Sequence, residues 1–172
     1  MMIDKSLKIA LTKKNGRHNF KKLLEFMEAS GIDFKDRKIK FNTLGVATMY
    51  GLFINSEELN RYNDSIIFYV ILHEIAHYKR IQKMGKEALI KALSAENFET
   101  FFEHVVGEEI IADRYASLLY LWFNKETFPS IWTQELFKED KRNNYRPIAA
   151  RLFGVIKNDE ENYKNLLESF LV

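Results

Sequence analysis

Residues 66 to 82 read IIFYVILHEIAHYKRIQ, an apolar helical run that carries His73, Glu74 and His77. Positions i and i+4 of a helix share one face, about 5–6 Å apart at Cβ, so the two imidazoles point the same way. The chain holds only four histidines, and two of them stand one turn apart here, flanked by Ile66, Val70 and Ala76. Buried polar groups need partners. Either a core helix carries a satisfied polar pair, or the pair is the floor of a metal site facing a partly dry cleft.

The rest of the chain is consistent with a helical host. Two prolines and seven glycines are sparse punctuation for 172 residues. Asn19 can cap a helix that runs to about Ser30, with Phe20, Leu23, Leu24 and Met27 as its stripe and Gly31 as its stop. The stretch 37–55 changes character: KIKFN alternates, and VATMYGLFIN is β-branched and aromatic, which predicts two or three short antiparallel strands. Asn63–Ser65 offers N-caps for the helix carrying His73, and Gly85 ends it. A long helical pattern covers about Asn97–Asn124. Pro129 marks a loop, and Pro147 fits the first turn of a later helix. The expectation is one α+β domain over 1–172, mostly helical. An N-terminal helix and small antiparallel sheet occupy 1–60, the metal-site helices 63–124 and C-terminal helices 130–172.

Charge and composition narrow the function classes. Lys plus Arg exceed Asp plus Glu by 26 to 24, with both signs dispersed. That balance argues against a nucleic-acid or anionic-membrane surface. No apolar run approaches the roughly 20 residues of a membrane span, and the N-terminus has no signal-peptide pattern; a cytoplasmic location is expected. Cysteine is absent, so His and carboxylates are the strong metal ligands left.

A catalytic zinc takes three protein ligands and keeps one open position. The third candidate is Glu109 in VVGEEIIADRYASLL, 32 residues after His77 and far enough for a second helix to fold back on the first. The predicted buried face reads Phe102, Val105, Val106, Glu109, Ala112, Asp113, Ala116 and Tyr120, with alanines that let two helices approach closely. Asp113, one turn past Glu109, could accept a hydrogen bond from the free ring nitrogen of a ligand histidine. Glu74, beside His73, could take a proton from a metal-activated water. A His104/Glu108 pair competes for the metal, about 100° round the helix. The plainer reading makes GEE and DR an exposed, internally paired charged turn. His18 is expected to be solvated.

HEIAH followed by EIIAD resembles the gluzincin clan of zinc peptidases, HExxH with a downstream ExxxD, and in size the minimal gluzincins and the ImmA/IrrE-type peptidases. The likeness covers about half the chain, and Lys79 departs from the usual apolar flank. It implies a zincin-like fold with a single zinc ion held by His73, His77 and Glu109, Glu74 as general base and acid, and Asp113 orienting a ligand. It further implies an extended protein or peptide substrate along an edge strand, here Tyr50, Gly51, Leu52 and Phe53, for which an ordinary hairpin is the alternative. A transition-state donor could come from His104 or Tyr115, or from Tyr50, Tyr145 or Arg146. The expected activity is zinc-dependent endopeptidase; the alternatives are a zinc-bearing but silent peptide- or protein-binding module and a metal-free helical interaction protein.

Overall fold

The computed structural model describes residues 2–14, 18–39, 44–128, 146–147, 149–150 and 153–154. The elements follow in the order α1 (Lys5–Thr12), α2 (Phe20–Ala29), β1 (Phe34–Asp36), β2 (Gly45–Thr48), β3 (Gly51–Ile54), α3 (Ser56–Leu59), α4 (Asp64–Met84), α5 (Lys86–Leu93) and α6 (Phe98–Asn124). The class is α+β and mostly helical, as the sparse punctuation predicts. No helix among the described residues is long and apolar enough to cross a membrane.

The two long helices begin where their sequences allow. Asn63 accepts from the Ile66 N–H at 3.0 Å, and Asn97 from the Thr100 N–H at 2.9 Å. Each cap satisfies one of the orphan donors of a first turn. Gly85, at φ 83°, ends α4. Along α4 the buried positions Ile67, Phe68, Ile71, Leu72 and Ile75 recur at helical spacing and face the core. Each such side chain contributes about 1.5–3 kcal/mol when fully buried, which fixes the rotation of α4 and turns His73 and His77 away from that core.

α6 is longer than any one cluster it serves. Its C-terminal part packs Ala116, Tyr120 and Phe123 into the main core with α1, α2, the sheet and α4. Its N-terminal part packs Phe101, Phe102 and Val106 into a second cluster with Ala149 and Phe153. Glu109 and Asp113 fall between the two. Tyr69 with Asp113, His77 with Glu109, and Arg80 with Glu108 pair in opposite order along the helices, so α4 and α6 run antiparallel. Ala112 and Ala116, both fully buried, allow the close approach.

The sheet differs from expectation in two ways. It is mixed, in the order β1-β3-β2, because β1 pairs parallel with β3 while β2 and β3 form an antiparallel hairpin. Strand β1 lies earlier than the stretch expected to be strand; Lys38 and Ile39 are not strand, and 40–42 lie outside the described residues. β3 is also the central strand. Leu52 donates to the Asp33 carbonyl on one side at 2.7 Å, and β2 takes the other. Gly51–Phe53 therefore has no open edge for a substrate, and Tyr50 sits in the turn. Gly51 is needed there, since its φ is 142° and a Cβ would stand 2.4 Å from the Asp33 carbonyl oxygen. The edge facing α4 is β2.

The C-terminal helices expected over 130–172 fall largely outside the described residues, as does Tyr145; 146–147, 149–150 and 153–154 are helical.

Candidate metal centre

His73 and His77 leave α4 one turn apart, and Glu109 meets them from α6. The two Nε2 atoms are 2.9 Å apart. The Glu109 carboxylate spans them, Oε2 at 3.1 Å from His73 Nε2 and Oε1 at 3.1 Å from His77 Nε2. One donor atom from each residue lies within 4.8 Å of the others, the group of this kind found among the described residues. The side chains are 14%, 16% and 23% exposed, so the cluster is partly dry yet reachable. Burial opposes charge on Glu109, but hydrogen bonds and positive potential from both imidazoles outweigh it and hold the carboxyl well below the usual range.

The donor set fits zinc. Bonds of about 2.0–2.1 Å in a tetrahedron separate donors by roughly 3.3–3.4 Å, close to the spacings here. Two ring nitrogens and a carboxylate are also the ligand types such an ion takes with its fourth position open. A proton can bridge two of these three atoms, whereas a cation satisfies all three.

Behind the cluster, His73 Nδ1 is 3.0 Å from Asp113 Oδ1. This is the arrangement that makes Nδ1 the donor and leaves Nε2 as the ligand atom. Tyr69, one turn before His73, donates to the same Oδ1 at 2.7 Å. Its ring stacks on Phe128 with centroids 4.2 Å apart, and burial pushes its hydroxyl pKa up to about 12. The role of Tyr69 was not read from the sequence, although its place one turn before His73 was a signal.

Glu74 leans toward the sheet and stays close enough to His73, His77 and Glu109 for their charges to act on it. It is 8% exposed, and burial pushes its pKa up, partly opposed by His73, His77 and the Ala47 backbone N–H. The hairpin pattern explains that N–H. Asn55 donates to the Leu44 carbonyl at 3.0 Å; bonded and non-bonded pairs alternate from there, so the main-chain groups of Gly45 and Ala47 face off the sheet. Gly45 makes the approach possible, because a Cβ there would lie 2.6 Å from Glu74 Cγ. Gln82 ties the hairpin turn to the end of α4 through the Met49 carbonyl at 2.6 Å.

No protein-family model matches the chain, and no curated protein or solved structure does.

The remaining candidates separate. Glu108 accepts a two-pronged bond from Arg80, at 2.7 and 3.1 Å, which holds its carboxyl below the usual range. It is therefore committed to a guanidinium. His104 lies one turn before Glu108 and acts on it electrostatically, about 140° round the helix from Glu109. The Tyr115 hydroxyl is 3.3 Å from Lys79 Nζ, which also sits 5.6 Å from the Phe26 ring of α2. The polar flank at Lys79 is thus accommodated by two rings, and Tyr115 faces α2. Arg146 pairs with Glu99 and lies over Phe98 and Phe102, at the start of α6.

His18 is not solvated. Its side chain is 7% exposed, with Nε2 2.8 Å from Ser65 Oγ and Nδ1 3.2 Å from the Tyr120 hydroxyl. Rings of Phe20, Phe68 and Tyr120 surround it.

Proposed function

We propose that the chain is a zinc-dependent endopeptidase in which His73, His77 and Glu109 hold the ion and Glu74 is the general base. The observation that carries this reading is the convergence of two imidazoles from α4 and a carboxylate from α6 on one point, with a second carboxyl, Glu74, on the same helix beside them. When bound, zinc supplies a Lewis acid for a peptide carbonyl and activation of a water at neutral pH.

The protein's own groups divide the remaining work. Glu74 accepts a proton from the attacking water at a carboxylate oxygen and passes it to the leaving nitrogen as the C–N bond breaks. Its burial raises its basicity above that of a solvated carboxylate, in the direction a base working near neutrality needs. The edge of β2, where the Gly45 groups and the Ala47 carbonyl point off the sheet beside the Ala47 N–H that Glu74 takes, suits an extended peptide better than the enclosed β3. Asp113 keeps the His73 proton on Nδ1.

Elemental analysis of protein purified without chelator should find one zinc per chain. Glu74→Gln should keep that zinc and lower turnover of a peptide library by about 10²-fold or more, the scale of a lost acid–base group. Undiminished digestion by the variant rejects the role of Glu74. A zinc-loaded parent that cuts no peptide favours the silent binding module instead.

A further inference from the structure

Tyr69 takes no part in the donor set, yet it is the group most directly engaged with the carboxylate behind it. The geometry points to Tyr69 as a positioning residue for the metal centre, acting through Asp113 on His73; this rests on the zinc reading above. Positions 69, 73 and 77 recur at four-residue intervals, so one face of α4 presents a phenol and two imidazoles in a row. The phenol and the first imidazole converge on a single atom, Asp113 Oδ1, at 2.7 and 3.0 Å. The Tyr69 hydroxyl also lies 3.3 Å from the Asp113 backbone carbonyl oxygen. Asp113 is 5% exposed, so solvent does little to hold its carboxylate.

Two donors on one oxygen define the torsion of that carboxylate better than one. With the phenol in position, Oδ1 faces His73 Nδ1 and holds the ring so that Nε2 is aimed at the cluster, 3.1 Å from Glu109. Without the phenol Oδ1 loses the closer of these two contacts, and the His73 ring is held less well in the orientation that ligation needs. The Tyr69 ring is itself pinned by its stack on Phe128. α4 thus carries both a ligand and a group that helps orient that ligand, one turn apart.

The test is Tyr69→Phe, which removes one oxygen and keeps the stacked ring. Zinc affinity is read by chelator competition, and the surroundings of His73 Nδ1 in the zinc-loaded protein by ¹⁵N NMR. The expected results are zinc binding weakened about fivefold to tenfold, at or below the ~10–100-fold typical of groups that contact a ligand histidine directly, and a shifted His73 Nδ1 resonance. Asp113→Asn should weaken zinc more, and adding Tyr69→Phe to it should cost little further, because the phenol acts through that carboxylate. A phenol that only stabilises the fold would lower the melting temperature and leave the His73 resonance and zinc affinity alone, which overturns the inference while the zinc reading stands. Absence of zinc from the parent protein overturns both.

Discussion

Two partly buried histidine neighbourhoods lie at different points along the α4–α6 pair, and they are built differently. His18 meets hydroxyls, Ser65 on Nε2 and Tyr120 on Nδ1, inside a shell of aromatic rings. Each ring nitrogen has its own hydroxyl partner, with the Glu126 carboxylate farther off at 3.8 Å from Nδ1, and the three elements so joined are the start of α2, the start of α4 and the end of α6. His73 and His77 instead turn Nε2 toward Nε2 and share one carboxylate. Hydroxyls can donate or accept as a histidine requires, so the first arrangement is complete with protein atoms alone. The second brings three lone-pair donors within metal-binding distance of one another, and on the zinc reading a divalent ion completes it. Burial and hydrogen bonding alone do not mark a functional histidine; convergence of acceptors does.

The largest expected effect breaks the second neighbourhood and spares the first. His77→Ala should abolish stoichiometric zinc and with it the ligand-linked stability, which amounts to about 4 kcal/mol at free zinc a thousandfold above the dissociation constant. The matched change, His18→Ala, should retain zinc and cost about 1–3 kcal/mol of intrinsic stability by taking a partner from two hydroxyls. Thermal unfolding with and without zinc checks both. Equal loss of zinc in the two variants would erase the distinction.

Next comes the contact between β2 and Glu74. Gly45→Ala adds a methyl group where Glu74 Cγ already stands 2.6 Å from the built position. Neither neighbour yields easily, since Glu74 is enclosed and Gly45 belongs to a paired strand. The carboxylate should be displaced while the histidines stay, giving normal zinc content and about 10²-fold lower kcat, or roughly 2.7 kcal/mol in the barrier. A variant that loses zinc and activity together would show that β2 supports the whole cluster rather than the base.

These two cases also mark what could be read from the chain beforehand. α4 and α6, their buried faces and the pairs His73/His77 and Glu109/Asp113 within them follow from local spacing, because helical neighbours are fixed by counting. That the two pairs meet was expected only from the length of chain available to fold back. His18, Gly45 and Tyr69 do not follow from spacing. His18 is defined by partners 47 and 102 residues away. The meaning of Gly45 depends on how near the sheet lies to Glu74. Strand order was illegible for the same reason, as Phe34 pairs with Leu52 across a stretch whose own alternation pointed to a simple antiparallel sheet. α1 and α5, each of eight residues, are too short for periodicity to announce them. Tyr69 is the intermediate case, visible by position on the helix but without meaning until Asp113 is beside it.

The smallest effect concerns Glu108, the carboxylate next to the proposed ligand. Arg80 holds its carboxyl below the ordinary value of 4.5, so the folded protein releases that proton more readily than the unfolded chain. The stabilisation is therefore fully present above the unfolded pKa and disappears as pH falls through the folded one. The side chains are 35% and 18% exposed, and solvent screening limits the pair to about 1 kcal/mol or less. Arg80→Ala should lose that amount at pH 7, converge with the parent as the pH falls through the lowered pKa of the folded carboxyl, and keep its zinc. Denaturant unfolding at several pH values measures the first two. If Arg80→Ala instead changed zinc affinity as strongly as His77→Ala, Glu108 would have to be counted among the donors, and the boundary between the charged flank and the converging cluster would be redrawn.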